Sequence, residues 1–252
     1  MSAAYDTYDY LSYWMGRDYE HNSEVIAIKD LISKIKKIDT ILEIGAGFGR
    51  LVPSYSFRAK KVIITDPSSK LLKIARETNI NKKKFKFIHS SLENLPSKIK
   101  NNSIDLIIMI RVTHHLKNLD LSFSIINKFL KSGGFVILEY PNKTNIKTMV
   151  KQFFKGNVTY LADISPVDLR SKRQVKKNTI PFFNYHPDKI KDTLESHGIS
   201  ILETRSVSNL RSSPIKNVLS VNTLLYLEKI FQTPFSWLSL GPSIFVLAKK
   251  RE

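Results

Sequence analysis

The feature that most constrains this chain is the alternation of short apolar runs with helical patterns over residues 1–140. Five runs rich in β-branched residues lie at Ile41–Ile44, Val62–Thr65, Phe85–Ile88, Ile104–Ile110 and Phe135–Glu139. Helical patterns occupy Ser68–Thr78 and Asp120–Leu130 between them. Runs that are apolar throughout are typical of strands buried on both faces. The alternation therefore predicts an α/β fold with a doubly wound, mostly parallel sheet and helices on both faces.

The regular alternation stops after Glu139. A basic segment follows, and then a helix and a strand at Asp188–His197 and Ile199–Thr204, an amphipathic helix at Asn217–Gln232 and a last strand at Ser243–Ala248. We predict a single domain spanning residues 1–252. It comprises an N-terminal helical lid (1–37), a cofactor-binding core (38–140), substrate-side inserts (141–186 and 207–241) and the remaining helix and strands of the sheet (187–206 and 242–252).

Composition and charge exclude some classes of site and suggest a kind of partner. The chain contains no Cys, which excludes disulfides and Cys-ligated metals, and we predict no metal site. Forty Lys and Arg face 22 Asp and Glu, for a net charge of +18. This excess fits either a generally solvated surface or an anionic partner such as RNA or lipid headgroups. No export signal and no transmembrane segment is recognised, so a cytoplasmic location is expected.

A glycine-rich loop follows the first predicted strand. Residues 42–50 read LEIGAGFGR, so that a strand runs through Gly45, Gly47 and Gly49 into a helix. Glycine permits the sharp turn and lets a ligand lie against the backbone. A nicotinamide-binding pattern needs a glycine at position 50, which is Arg50, and this disfavours an oxidoreductase. Glu43 precedes the loop at a position where an acid could bind a ligand ammonium group.

Asp66 and two further segments complete the pattern. Asp66 ends the second predicted strand, where a carboxylate would lie beside the glycine loop and accept ribose hydroxyls. Residues 90–96 read SSLENLP, and residues 104–116 read IDLIIMIRVTHHL. Together with LEIGAGFG at 42–49, these segments resemble the class I S-adenosylmethionine-dependent methyltransferases. The resemblance is closest to the small-molecule group, methyltransferase type 11, which is related to the quinone-biosynthesis C-methyltransferases.

The resemblance implies a Rossmann-like, seven-stranded sheet, S-adenosylmethionine as the cofactor and a set of cofactor-binding residues. These residues are Glu43, Gly45, Ala46, Gly47, Gly49, Asp66, Pro67, Ser91, Leu92 and Arg111, with Tyr13 and Arg17 from the lid. Within this set, Glu43 approaches the amino group of the methionine part and Asp66 the ribose. Ser91 departs from the family, which often has Asp there to accept the adenine amino group.

Catalytic residues are less constrained by the sequence. His114 and His115 end the fourth-strand motif, and His186 precedes Pro187 at the start of a predicted helix. A histidine titrates near neutrality and could act as a general base, but each of these three could equally have a structural role. Methyl transfer from a sulfonium needs mainly alignment and exclusion of water, so a dedicated base is optional.

The sequence therefore predicts an enzyme, a methyltransferase acting on a small-molecule or lipid-linked acceptor by direct displacement. Two alternatives stay open at this point. The basic surface would suit an RNA methyltransferase, although no RNA-binding module is recognised. A non-catalytic protein that binds the cofactor would also carry the same glycine loop.

Overall fold

Seven strands form a central sheet in the computed structural model, which describes residues 6, 9–78, 83–177 and 179–252. Including the two strands of a separate ribbon, the strands of the described residues are, in chain order, β1 (Thr40–Ile44), β2 (Lys61–Asp66), β3 (Phe85–His89), β4 (Ile104–Met109), β5 (Leu130–Pro141), β6 (Val167–Asp168), β7 (Phe183–Asn184), β8 (Ile199–Val207) and β9 (Ser243–Lys250). The sheet has the order β3-β2-β1-β4-β5-β9-β8, while β6 and β7 pair in a separate two-stranded ribbon.

The pairing confirms the predicted doubly wound, mostly parallel sheet. Strands β1 to β5 pair in parallel, and only β9 runs antiparallel to its neighbours β5 and β8. From β1 the chain continues to β2 and β3 on one side of β1. It then returns to form β4, which pairs with the other edge of β1, so the direction of the strand order changes between β1 and β4. The carboxyl ends of β1 and β4 flank this switch point, where ligands bind in open α/β sheets.

Helices cover both faces of the sheet. They are α1 (Tyr10–Tyr13), α2 (Asp18–Ser33), α3 (Val52–Tyr55), α4 (Ser69–Thr78), α5 (Leu119–Phe129), α6 (Ile146–Phe154), α7 (Lys172–Lys176), α8 (Pro187–Ser196), α9 (Ser213–Val218), α10 (Val221–Phe231) and α11 (Pro234–Trp237). The core divides into two apolar clusters, one centred on α5 and α8 and the other on α2 and α3. This arrangement explains why the central strands are apolar on both faces.

The sequence determines helix α4 in a simple way. Ser68 accepts the backbone N–H of Leu71 and so caps the first turn. The helix then buries Leu71, Leu72 and Ala75 against the sheet and leaves its lysines in water. The element therefore follows from a cap and one apolar stripe.

Two elements differ from the sequence expectation. Strand β5 begins at Leu130 rather than Phe135, because Leu130 pairs with Ile104 across a register shift before the main ladder starts at Phe135. The predicted helix at 217–232 is divided into α9 and α10, since Ser220 caps the second helix by accepting the N–H of Thr223. In both cases a local pairing or cap changes the boundary of an element but not its type.

Buried polar contacts fix the N-terminal helix and the first insert. The Tyr19 hydroxyl on α2 donates to Glu228 on α10 over 2.6 Å. In the insert, the ammonium group of Lys143 donates to the carboxylate of Asp163 at 2.9 Å and to the carbonyl of Ser165 at 2.8 Å. The Lys143 side chain is fully buried, so these bonds replace its hydration.

Among the helices that the structure describes, none has the length and apolarity needed to cross a bilayer.

Candidate functional site

The glycine loop turns at the carboxyl end of β1 and is held against β2. The backbone N–H groups of Gly45 and Ala46 both donate to the carbonyl of Thr65, at 2.9 and 3.0 Å. Gly45 has a φ of 71°, and a Cβ there would lie 2.3 Å from Cγ2 of Val112. Gly47 also has a positive φ, 57°. The loop therefore needs glycine for its backbone conformation at both positions and for close approach at the first.

Asp66 is buried at the end of β2 and is oriented by two backbone donors. Its Oδ2 accepts the N–H of Gly47 and its Oδ1 the N–H of Ser68, both at 2.7 Å. Burial raises the pKa of this carboxyl, and the two hydrogen bonds oppose that rise. Each oxygen keeps a further lone pair, so that the carboxylate can accept two hydroxyls from one ligand.

Glu43 is buried on the other side of the loop. Tyr55 donates its hydroxyl to Oε2 of Glu43, and Thr65 donates to the Glu43 backbone carbonyl at 2.9 Å. Burial raises the pKa of Glu43 to about 7, although the Tyr55 hydrogen bond and Arg50 lower it. A buried carboxyl that can still ionise near neutral pH is suited to a cationic ligand group.

The segment after β3 forms another side of the site. Ser91 precedes the 3₁₀ helix Leu92–Ser97, and its hydroxyl accepts the side-chain N–H of Asn94 at 3.2 Å. Leu92 is buried beside it. Where the family often has a carboxylate, this chain therefore presents a hydroxyl and an apolar side chain.

A charged cluster that the sequence analysis did not predict lies beside the loop. Glu24 on α2 accepts from Nη2 of Arg50 at 2.5 Å and from Nε of Arg111 at 2.7 Å. The Trp14 ring lies under both guanidinium groups, with its centroid 3.5 Å from Arg50 and 4.6 Å from Arg111. These residues are far apart in sequence, so no spacing could have predicted that they meet.

Arg111 occupies a constrained position in this cluster. Its φ is 59°, a left-handed conformation, and its backbone N–H donates to Oε2 of Glu139 at 2.9 Å. Burial lowers the pKa of the guanidinium, but Glu24 and Glu139 outweigh this and raise it above its usual value. Arg111 is therefore a fixed cation at the end of β4.

These elements enclose a cavity of about 320 Å³. Nine of the predicted cofactor residues line it: Glu43, Gly45, Ala46, Gly47, Asp66, Pro67, Ser91, Leu92 and Arg111. Of the other three, Gly49 lies in the turn behind it, where its N–H donates to the carbonyl of Ala46. Tyr10 also lines the cavity and was not among the predicted residues, although it belongs to the aromatic N-terminal segment.

Tyr13 and Arg17 do not line this cavity. The guanidinium of Arg17 covers the Tyr13 ring, 4.1 Å from its centroid, and Tyr13 stacks on Tyr10 at 5.8 Å. Tyr13 faces a neighbouring cavity instead. A contact of these two side chains with the cofactor stays a prediction.

The neighbouring cavity has a volume of about 540 Å³. Its lining residues are Tyr10, Tyr13, Arg111, His114, His115, Arg170, Gln174, Thr179, Ile180 and Phe182. Four of them, Tyr10, Arg111, His115 and Ile180, line both cavities. The lid, the end of β4 and the first insert thus meet around two adjoining spaces.

The structure separates the three candidate histidines. His115 lines both cavities, and its Nδ1 lies 2.7 Å from the carbonyl of Pro181. His114 lines the larger cavity, and burial lowers its pKa well below the usual value. His186 lines neither, because its Nδ1 accepts the N–H of Asp188 at the start of α8 and its Nε2 donates to the carbonyl of Leu161. Its position therefore favours the structural role.

The residues present fit S-adenosylmethionine. The smaller cavity offers a buried carboxyl at Glu43 for an ammonium group, two acceptor oxygens at Asp66 for a diol, and apolar walls at Leu71 and Leu92 for a planar base. None of the ion pairs among the described residues involves Glu43, so an intramolecular cation does not already occupy it. Within the described part of the chain, no group of three or more His, Asp or Glu side chains is arranged to hold a metal ion.

Comparison with known families and proteins supports the same class. A family model described as a methyltransferase domain matches residues 42–138. An uncharacterised protein of Methanocaldococcus jannaschii is 26% identical over 217 residues, covering 82% of this chain and 80% of that protein. A Saccharomyces cerevisiae protein named as a probable S-adenosylmethionine-dependent methyltransferase is 36% identical over 98 residues, which is 38% of this chain and 33% of that one.

Solved structures share the fold over nearly the whole chain. An S-adenosylmethionine-dependent methyltransferase from Mesorhizobium loti superposes with a TM-score of 0.60 at 15% identity, covering 90% of this chain and 98% of that one. At this identity the likeness establishes the fold, and the family model establishes the domain within it. The matched domain, the fold and the site geometry together identify residues 42–138 as an S-adenosylmethionine-dependent methyltransferase domain.

Proposed function

We propose that this methyltransferase acts on a small or amphiphilic acceptor that binds in the larger cavity. The observation that carries the proposal is the shared wall: Tyr10, Arg111, His115 and Ile180 line both cavities. S-adenosylmethionine supplies an activated methyl group when it is bound. The protein then has to place an acceptor atom in line with that group and exclude water.

We assign the cofactor contacts from the smaller cavity. Glu43 binds the amino group of the methionine part, and the backbone of Gly45 and Gly47 packs against that part. Asp66 accepts the ribose hydroxyls, because both of its oxygens are already oriented by backbone N–H groups. Ser91 and Leu92 bind the adenine, through a hydroxyl and an apolar contact.

The lining of the larger cavity favours a neutral or anionic acceptor. Arg111 and Arg170 contribute positive charge, and no carboxylate is among its lining residues in the described part of the chain. Asp168 partly neutralises Arg170 by accepting from its Nε and Nη2. Tyr10, Tyr13 and Phe182 provide aromatic surface. An aromatic or unsaturated molecule with an acidic or neutral polar group matches this lining better than an amine cation does.

We assign His115 as the general base for an acceptor that must lose a proton. A carbonyl can only accept, so Nδ1 of His115 carries the hydrogen donated to Pro181, and Nε2 carries the lone pair in the neutral ring. Burial lowers the pKa of His115, although the Pro181 contact opposes that effect. The ring is therefore neutral near pH 7 and able to take a proton.

His114 supports the same placement. Its Nδ1 is buried without a hydrogen-bond partner among the described residues, although the side chain lines the larger cavity. A buried polar atom without a partner costs free energy, which an acceptor with a complementary polar group would recover.

RNA is a second candidate acceptor, and the net charge of +18 is the observation that favours it. Binding to RNA through phosphate contacts weakens steeply as salt rises. A salt titration with single-stranded and hairpin RNA therefore distinguishes this candidate from a small-molecule acceptor. Absence of RNA binding at low salt would eliminate it.

The first experiment is calorimetric titration with S-adenosylhomocysteine, with NADH as the comparison ligand. Binding of S-adenosylhomocysteine alone is expected. Transfer of a radioactive methyl group from S-adenosylmethionine to a cell extract, followed by separation into organic-soluble, water-soluble and RNA fractions, then identifies the acceptor class. Label confined to RNA would refute the proposed small or amphiphilic acceptor.

A further inference from the structure

Helix α6 has the pattern of a helix that packs against a core, yet the described part of the chain buries none of its residues. Ile146, Val150, Phe153 and Phe154 project within an arc of roughly 100° at 100° per residue. None of the nine residues of α6 is buried, and Phe153 and Phe154 are 71% and 81% exposed. Helix α4, with a similarly amphipathic pattern, buries its apolar residues against the sheet. The apolar face of α6 is thus unpartnered within the described chain.

The charge on α6 is one-sided. Lys147, Lys151 and Lys155 recur every four residues and therefore form a row along one flank of the apolar arc. All three are exposed. Residues 140–162 contain no Asp or Glu, so no acidic side chain within that stretch offsets the row.

A second exposed apolar element lies beside the start of α6. The backbone N–H of Ile146 donates to the carbonyl of Leu240 at 3.0 Å, just beyond α11. Trp237 and Leu238, at the end of α11, are 83% and 69% exposed. Tryptophan is the side chain most typical of the boundary between lipid and water.

The surface is held in place by buried polar contacts. Asn142 donates to the carbonyls of Ser239 and Gly241, which ties the segment before α6 to the segment after α11. Lys143, which precedes α6, donates to Asp163 and Ser165, which follow it, and these bonds join the two ends of the segment that carries α6. The segments on both sides of α6 are therefore held by hydrogen bonds, and the exposure of the helix is a property of the folded structure.

We propose that α6, with Trp237 and Leu238, docks this enzyme on the surface of an anionic phospholipid bilayer. The apolar arc and the aromatic side chains would enter the boundary between headgroups and acyl chains. The flanking lysine row would contact the anionic headgroups. This combination is that of an amphipathic helix lying in the plane of a membrane interface.

The docking surface and the proposed acceptor cavity share residues of one segment of the chain. The insert at 141–186 supplies both α6 and five lining residues of that cavity, Arg170, Gln174, Thr179, Ile180 and Phe182. A membrane-bound enzyme could take an amphiphilic acceptor directly from the bilayer. Docking itself does not depend on the proposed function, because it is measured as binding without turnover.

The test is flotation of the full chain with vesicles of phosphatidylcholine alone and of equimolar phosphatidylcholine and phosphatidylglycerol. Flotation with the anionic vesicles is expected, and the Trp237 emission is expected to shift to the blue as its ring leaves water. In Trp237→Phe the blue shift should disappear while flotation persists. This variant separates insertion of the surface from any change at Trp14, the other tryptophan of the chain.

Two matched pairs of variants test the two parts of the surface. Phe153→Ser combined with Phe154→Ser should lower partitioning at least about tenfold, whereas Phe57→Ser, at a residue that is also exposed, should not. Replacing Lys147, Lys151 and Lys155 by Gln should lower partitioning about a hundredfold. In the control, Gln replaces three other exposed lysines, Lys36, Lys73 and Lys86, so that the two triple variants have the same net charge.

Three outcomes would overturn the proposal. The first is no flotation with anionic vesicles at low salt. The second is flotation that the Phe153/Phe154 variant retains in full, since binding would then be electrostatic only. The third is a dimer that this variant dissociates, because a second copy would then cover the apolar face. S-adenosylhomocysteine affinity, measured for every variant, confirms folding and keeps the methyltransferase assignment independent of the result.

Discussion

Ionisation of Glu43 is expected to make cofactor binding depend on pH near neutrality. The carboxyl is 3% exposed, and burial raises its pKa to about 7. Only the ionised form attracts an ammonium group strongly, so at lower pH the ligand must first displace a proton. Affinity for S-adenosylhomocysteine should therefore rise with pH and level off above pH 7.

The size of the effect follows from the pKa. A carboxyl with a pKa of about 7 is protonated in about ten molecules of every eleven at pH 6. The dissociation constant should then be about eightfold higher at pH 6 than at pH 7.5, equivalent to about 1.2 kcal/mol. Below pH 7 the logarithm of the affinity should rise by about one for each pH unit.

Isothermal titration calorimetry with S-adenosylhomocysteine across this range measures the profile, and three variants assign it. Glu43→Gln should bind weakly and lose the inflection. Tyr55→Phe removes the hydrogen bond that lowers the pKa of Glu43, so it should move the inflection to higher pH. Asp66→Asn should weaken binding but keep the inflection, moved to lower pH because the Asp66 charge raises the pKa of Glu43. A flat wild-type profile, or an inflection that survives in Glu43→Gln, would refute the role assigned to Glu43.

The same pKa makes a prediction for stability. The folded protein keeps the Glu43 proton up to about pH 7, whereas the unfolded chain releases it around the ordinary glutamate pKa of 4.5. The contribution of this carboxyl to stability is therefore present at acid pH and is lost as pH rises from 4.5 to 7. Glu43→Gln, which cannot ionise, should raise the free energy of unfolding at pH 8 by about 2.5 kcal/mol relative to its effect at pH 5. Thermal denaturation at the two pH values measures this difference, and equal effects would contradict the buried ionisation.

Other predictions concern the remaining site residues. Asp66→Ala should weaken S-adenosylhomocysteine binding by roughly 1–3 kcal/mol, measured by calorimetry, and unchanged affinity would show that the ribose lies elsewhere. Gly47→Val should abolish binding and leave the fold intact by circular dichroism, because the side chain would enter the cavity; Gly156→Val, at a positive φ with open space around it, should bind normally. His115→Ala should lower kcat on an identified acceptor by about a hundredfold or more, while His186→Ala should not; full activity of His115→Ala would exclude the base.

Much of the cofactor site could be predicted from the sequence because its residues lie at the ends of consecutive parallel strands. Gly45 follows β1, Asp66 ends β2 and Ser91 follows β3, and parallel strands bring their carboxyl ends to one edge of the sheet. The structure places these residues around one cavity, and their contacts with the cofactor stay predictions. The N-terminal residues could not be placed in the same way, because their contacts depend on how the lid packs. Tyr10 rather than Arg17 lines the cavity for that reason.

The sequence by itself determined the sheet, the glycine loop and the class of cofactor, because these depend on local apolar runs, local turns and fixed spacings. Only the tertiary structure decided which distant side chains meet. It joined Glu24, Arg50 and Arg111 around Trp14, residues that no periodicity links. It also formed the larger cavity from the N-terminal segment and the first insert and placed His115 rather than His186 in its wall. Among the residues that the structure describes, it left the apolar face of α6 unburied. Such contacts depend on the packing of segments far apart in the chain, and burial then sets the charge state of the groups they enclose.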